Sequence, residues 1–171
     1  MKTYRMFGAA LLAMSVFATA CDDDDDPLTP EPDPTAFTAS LAGGNERPAV
    51  TSTGTGTATF TVNANGTIAY TVRVNNLTSN VTACHIHTGR TDLSSGVLVT
   101  LCPSAVTGPI TTETTIATGT IIEGANTTTA GSTTLTLAGL RALMETGSVY
   151  VNVHTANNTG GEIRGQITVV P

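Results

Sequence analysis

The sequence predicts an all-β domain, an antiparallel Greek-key-like β-sandwich or barrel of about seven to nine strands with one short helix. Three observations predict it. Beyond residue 35 the chain is rich in Thr, Val, Gly and Asn and poor in Leu, Glu and Lys, a composition that favours strands. Short runs alternate apolar with polar residues, the period of a half-buried strand. Turn signals separate the runs, the strongest being Asn65-Gly66.

The first residues lie outside that domain. Lys2 and Arg5 precede an apolar run from Met6 to Phe17. Spanning a bilayer takes about 20 apolar residues, so the run is too short to cross. It leads to Ala18-Thr19-Ala20-Cys21, which resembles the lipobox of a bacterial lipoprotein signal peptide, with Ala18 in place of the usual leucine. Residues 1–20 are read as a removed signal peptide and Cys21 as the lipidated N-terminus. Acyl chains hold a protein to membrane with about 0.8 kcal/mol per buried methylene.

Residues 21–35, CDDDDDPLTPEPDPT, read as an acidic, Pro-rich tether. Its aspartates repel one another, and its prolines oppose helix and sheet pairing. Acidic residues directly after a lipidated cysteine resemble a signal that sends some lipoproteins to the outer surface. The expected location is therefore the outer membrane or cell surface of a Gram-negative-type bacterium, with a lipid anchor as the membrane contact.

The elements of the domain, residues 36–171, follow in order. AFTASLAG is the first strand. GTATFTVNANGTIAYTVRVNNL is the clearest hairpin: Phe60 and Val62 alternate with threonines, and Ile68, Tyr70, Val72 and Val74 resume the alternation after the Asn-Gly turn. VTACHIHT, GVLVTLC and TTIATGTIIEG follow as strands. Thr136 precedes a helix in which Leu137, Leu140, Leu143 and Met144 share a face and which Gly147 terminates. SVYVNVHT and GEIRGQITVV are the last two strands.

Alternation assigns faces. Val149, Val151 and Val153 point to the core, and Tyr150, Asn152 and His154 point away. His85 and His87 share a face with Val81 and Ala83, and Cys84 and Ile86 share the other. Ile163, Ile167 and Val169 oppose Glu162, Arg164 and Gln166. If the last two strands pair, His154 lies near the Glu162/Arg164 end.

Charge narrows the function classes. Without the signal segment no lysine remains, and from Ala36 on five arginines face six acids. The domain is nearly neutral and has no basic stripe, so nucleic acid is not an expected partner. No glycine-rich phosphate loop and no nucleophile elbow is present, and no residue is assigned as catalytic. In an oxidising compartment Cys84 and Cys102 read as a disulfide, with thiolate ligation by Cys84 beside the histidines as the sharper alternative.

FTASLAGGNERPAVTSTGTGTATFTVNANGTIAYTVRVNNL, VTACHIHTG and GSVYVNVHTANNTGGEIRGQI together resemble a CHRD domain, from about Phe37 to Val169. This is the module repeated in the animal protein chordin and found singly in bacterial secreted proteins. The resemblance implies an extracellular β-rich module, and the expected role is binding, with an unknown extracellular or periplasmic protein or glycan as partner. For bacterial members it implies no settled activity. Cys84 and Cys102 depart from the pattern.

A second resemblance is to copper/zinc superoxide dismutase, which also uses an H-x-H strand, a later V-x-V-H strand and a terminal G-G-x-R segment. It implies His85, His87 and His154 as ligands of copper or zinc, with Arg164 attracting an anionic substrate. No histidine lies between His87 and His154, so the bridging histidine and the dismutase zinc set are missing, and only a copper-only enzyme fits. Imidazoles suit either metal, and residues two apart on a strand project together. Three protein ligands with an open position would also suit catalytic-type zinc. Against these stands a metal-free reading, in which the histidines join Tyr150, Asn152, Glu162 and Arg164 in a hydrogen-bonded polar cluster, with a Glu162–Arg164 pair pinning the last hairpin.

Overall fold

The computed structural model describes residues 35–125, 127, 129–130 and 133–171. The signal peptide, the tether to Pro34 and the lipidation site Cys21 lie outside the described residues. Those residues hold eleven strands, one α-helix and a single 3-10 turn at Gly43–Asn45: β1 (Ala36–Ala42), β2 (Thr55–Val62), β3 (Ile68–Asn75), β4 (Val81–Thr88), β5 (Val97–Thr100), β6 (Thr114–Ile121), β7 (Thr129–Ala130), β8 (Thr133–Thr134), α1 (Leu137–Glu145), β9 (Val149–Thr155), β10 (Ile163–Gln166) and β11 (Thr168–Val169). The short β7–β8 hairpin has no counterpart in the sequence expectations.

One antiparallel sheet runs in the order β5-β4-β9-β10-β1-β2-β3-β6, with β11 also on β1. It curls into a nearly closed barrel, which selects barrel over sandwich. β3 and β4, and likewise β5 and β6, follow each other in the chain but are not paired in the sheet, and β5 and β6 are its two edges. The Tyr70 hydroxyl donates to Leu101 O at 2.8 Å, drawing β3 toward the chain just beyond β5.

The core is what the alternation dictates. Phe37, Phe60, Ile68, Val72, Ile86 and Ile163 are buried inside the barrel. The Asn65-Gly66 turn joins β2 to β3, with Gly66 at φ +81°, where a side chain would be strained. Thr136 caps α1 by accepting from Gly139 N, and Leu140 and Met144 are buried in the core. Gly147 ends the helix at φ +58°.

Two irregularities re-aim side chains. The pairing of β4 with β9 shifts between Val81 and Ala83. Val81 is therefore buried in the core with Cys84 and Ile86, not on the histidine face that simple alternation gives it. In the second, Glu162 N donates to Val153 O, although Ile163 is the residue facing Val153. Two residues thus oppose one, as in a bulge, and Glu162 turns to the inner side.

Candidate metal centre

β4 presents His85 and His87 on its outer face, and β9 runs beside it with Ala83 opposite His154, His85 opposite Asn152 and His87 opposite Tyr150. Ala83 ends at Cβ, which leaves space for the His154 ring to lean toward His85. His85 Nδ1 lies 3.2 Å from His154 Nε2. One ligating nitrogen from each of His85, His87 and His154 lies within 4.8 Å of the other two. The structure thus brings together the three histidines that the sequence singled out.

Backbone carbonyls orient two of the rings. His87 Nδ1 lies 2.7 Å from Ser95 O, and His154 Nδ1 lies 2.9 Å from Thr159 O. A carbonyl only accepts, so both Nδ1 atoms carry the proton and donate it. In the neutral rings Nε2 is then a bare lone pair. His87 Nε2 is buried and makes no hydrogen bond of good geometry; the Asn152 side chain beside the ring bonds it only weakly. Burial, and then the neighbouring His154 and His87, push His85 down to about 4. His87 is also lowered, chiefly by burial, against the bond to Ser95 O, which raises it. Around neutral pH these two imidazoles are uncharged, the form a metal requires.

The outer face is covered around His87 and half-open at His85 and His154. Tyr150 and Asn152 are buried, and β9 stands between β4 and β10. The Tyr150 ring stacks on His87 at 5.1 Å between centroids and 7° between planes. Arg164 Cζ lies 3.4 Å from the Tyr150 ring centroid, a cation–π contact. Arg164 Nη2 donates to Arg90 O at 2.6 Å and to Leu93 O at 2.7 Å, holding the loop that carries Ser95. A chain of contacts therefore runs from Arg164 through this loop to the carbonyl that orients His87. Arg164 is 1 % exposed, which removes it from the expected role of attracting a diffusing anion.

Glu162 stands apart from Tyr150, Asn152 and Arg164. Its carboxylate accepts from Ser52 Oγ at 2.7 Å, Thr78 N at 2.9 Å, Thr78 Oγ1 at 2.8 Å and Thr155 Oγ1 at 2.7 Å. The bulge separates it from Arg164, and the expected Glu162–Arg164 pair is replaced by this network. Burial raises its pKa, and the bonds from Ser52, Thr155 and Thr78 outweigh that and hold it below the ordinary value.

Cys84 and Cys102 form a disulfide with Cα atoms 5.0 Å apart. Cys84 is bonded inside the barrel wall, so the thiolate alternative falls away. Sequence reasoning missed Glu46, from the turn after β1, which is 5 % exposed. Burial raises its carboxyl to about 7, although Arg164 and Arg47 pull it down. A Cβ on Gly161, whose φ is +127°, would collide with Glu46 Oε1 and with Asn152 Nδ2, so that position has neither the backbone conformation nor the space for a side chain. No periodic signal marks Glu46, and the carbonyls of Ser95 and Thr159 are backbone groups that any residue supplies.

No curated protein and no solved structure matches the chain. The family model described as the CHRD domain matches residues 37–167. That span holds β1 to β10 except Ala36, with all three histidines, and the chain belongs to the CHRD domain family.

Proposed function

We propose that this CHRD domain is an exported binding module that holds one copper or zinc ion through His85 Nδ1, His87 Nε2 and His154 Nε2. The observation that carries the reading is the preset donor geometry: two carbonyls fix the Nδ1 protons of His87 and His154, and His87 Nε2 is buried without a well-formed hydrogen bond. With imidazole–metal distances of about 2.0–2.1 Å, nitrogens on one ion lie about 3.3–4.2 Å apart. The trio, all within 4.8 Å, reaches that spacing with shifts below about 1 Å. The donors are all imidazole, which suits copper and zinc and disfavours calcium or magnesium.

Three protein ligands leave room for a further donor from solvent or from a partner. The bound ion would supply charge and a coordination position; the chain supplies orientation, through Ser95 O, Thr159 O and the Tyr150 stack. Export and anchoring rest on the apolar segment, Cys21 and the acidic tether.

The test is metal analysis of the purified protein after copper or zinc loading and removal of excess. One ion per chain is expected, with loss in His85→Ala and His154→Ala. Absence of stoichiometric metal, or retention in both variants, overturns the ligand set. Superoxide consumption by the same samples separates a redox enzyme from a module that only holds the ion. Cys21→Ser should release the protein from membranes, and continued membrane association overturns the anchor.

A further inference from the structure

A row of threonines crosses the barrel wall away from the histidines. Thr168 faces Thr38, Thr38 faces Thr59, Thr59 faces Thr71 and Thr71 faces Thr118. Each of the inner three alternates with core residues: Phe37 and Ala39 flank Thr38, Ala58 and Phe60 flank Thr59, and Tyr70 and Val72 flank Thr71. The row therefore lies on the outer face. Strands stand about 4.8 Å apart, so five strands carry it over about 19 Å. Beside it runs a shorter row, Ser40, Thr57 and Arg73.

Two hollows lie along these rows. One, of about 350 Å³, takes Thr38, Ser40, Thr168, Gln166, Arg47 and Arg164 among its walls. The other, of about 320 Å³, lies at Thr57, Thr59, Thr71 and Arg73. The first is within the size range of small-molecule sites. It also concentrates positive charge in a chain that has little. Of the domain's five arginines, Arg73 pairs with Glu113 and Arg141 with Glu145. Arg47 and Arg164 meet at this hollow, which has no acid in its walls; Glu46 and Asp92, which act on Arg164, lie outside it. Arg47 is exposed, with Nη1 held by the carbonyls of Gly44, Asn45 and Glu46. Arg164 is buried and its Nη1 has no partner.

We infer that this face binds an acidic glycan, with a sugar carboxylate on the exposed Arg47 in this hollow, over the buried charge of Arg164, and the saccharide chain lying along the threonine row. Guanidinium groups recognise carboxylates through charge-assisted bonds. Thr38 and Thr168 donate to the carbonyls of Ala58 and Thr38 and keep lone pairs to offer, while a threonine hydroxyl without such a bond both donates and accepts as sugar hydroxyls do, so the row matches a polyol. A surface recognising an acidic peptide would use the same arginines and would gain nothing from the hydroxyl row. The site is separate from the histidine trio and does not rest on the metal reading.

The experiment is calorimetric titration of the purified protein with an oligogalacturonate, with its methyl ester as a neutral chain of the same backbone, and with polyglutamate as an acidic chain without sugars. Binding of the acid form is expected, weakened about tenfold in Arg47→Ala, weakened several-fold in the isosteric Thr59→Val/Thr71→Val double variant, and unchanged in His85→Ala. Arg47 and both threonines contact solvent, and circular dichroism confirms that the variants fold. No binding of the acid form overturns the inference, as does equal binding of the ester. Equal binding of polyglutamate, or full affinity in Arg47→Ala, overturns the glycan assignment at this hollow.

Discussion

His85 Nδ1 lies 3.2 Å from His154 Nε2, across 69 positions of sequence. The contact is diagonal, since His154 is opposite Ala83 and His85 opposite Asn152. A neutral pair can share one proton there, and a bound ion would replace it. Zinc or copper at about 100 times its dissociation constant should therefore stabilise the fold by about 2.7 kcal/mol. That corresponds to roughly 10 °C in Tm for a domain of this size. Calorimetry with and without metal measures it. A shift that survives in both His85→Ala and His154→Ala would place the ion elsewhere.

Glu162 answers four donors with one buried carboxylate. Truncation strands Ser52, Thr78 and Thr155 without their acceptor. Glu162→Ala should cost about 3 kcal/mol or more in urea unfolding, and Glu162→Gln should cost less because one oxygen remains. Metal stoichiometry should be unchanged in Glu162→Gln, since this network does not reach the histidines. Loss of metal in that variant would mean that the two sites are linked.

Much of this was legible in the chain, and the misses have one kind of cause. Strict alternation in VYVNVHT placed three valines inward and His154 outward, and the register of β9 keeps both assignments. Alternation failed at Val81 and Glu162 because each sits at a bulge, where one extra residue reverses the faces. The three histidines were visible as a pattern, and their convergence required knowing that β4 and β9 are neighbours despite the strands between them in sequence. Ser95 O and Thr159 O orient two rings through the backbone, so no residue type announces them. Glu46 comes from an irregular turn without periodicity, and only tertiary packing buries it.

The disulfide closes a loop of 18 positions between the chain just after β5 and the middle of β4. Loop-closure entropy for that separation corresponds to about 3 kcal/mol. Cys84→Ala/Cys102→Ala should lose about that much stability in denaturant. Cys84 lies next to His85 in a strand that β5 and β9 both hold, so metal should still bind, more weakly. Unchanged stability in the double variant would show that the reduced, unfolded chain is already restricted in this region.

Glu46 gives the fold a pH dependence opposite to that of the histidines. Its carboxyl stands at about 7 in the folded state against an ordinary 4.5, with Arg164 and Arg47 as the charged groups facing it. Between those values the native state holds the proton and the unfolded chain releases it, so the contribution is full below about 4.5 and lost as pH rises through 7. His85 runs the other way. It stands at about 4 against an ordinary 6.5, with His154 and His87 beside it, so its contribution is full above 6.5 and lost as pH falls toward 4. Each slope is limited to about 1.4 kcal/mol per pH unit, and across their overlap the two oppose each other. His87, also lowered by burial, adds to the rising side, so metal-free wild-type protein should gain stability from pH 4.5 to 6.5 less steeply than a variant without the Glu46 titration. Glu46→Gln keeps the shape and removes the titration, leaving the rising histidine slope. Urea unfolding at several pH values should find the stability of Glu46→Gln relative to wild type increasing with pH. A difference that stays constant across that range would mean that Glu46 titrates in the folded protein as an ordinary exposed carboxylate does.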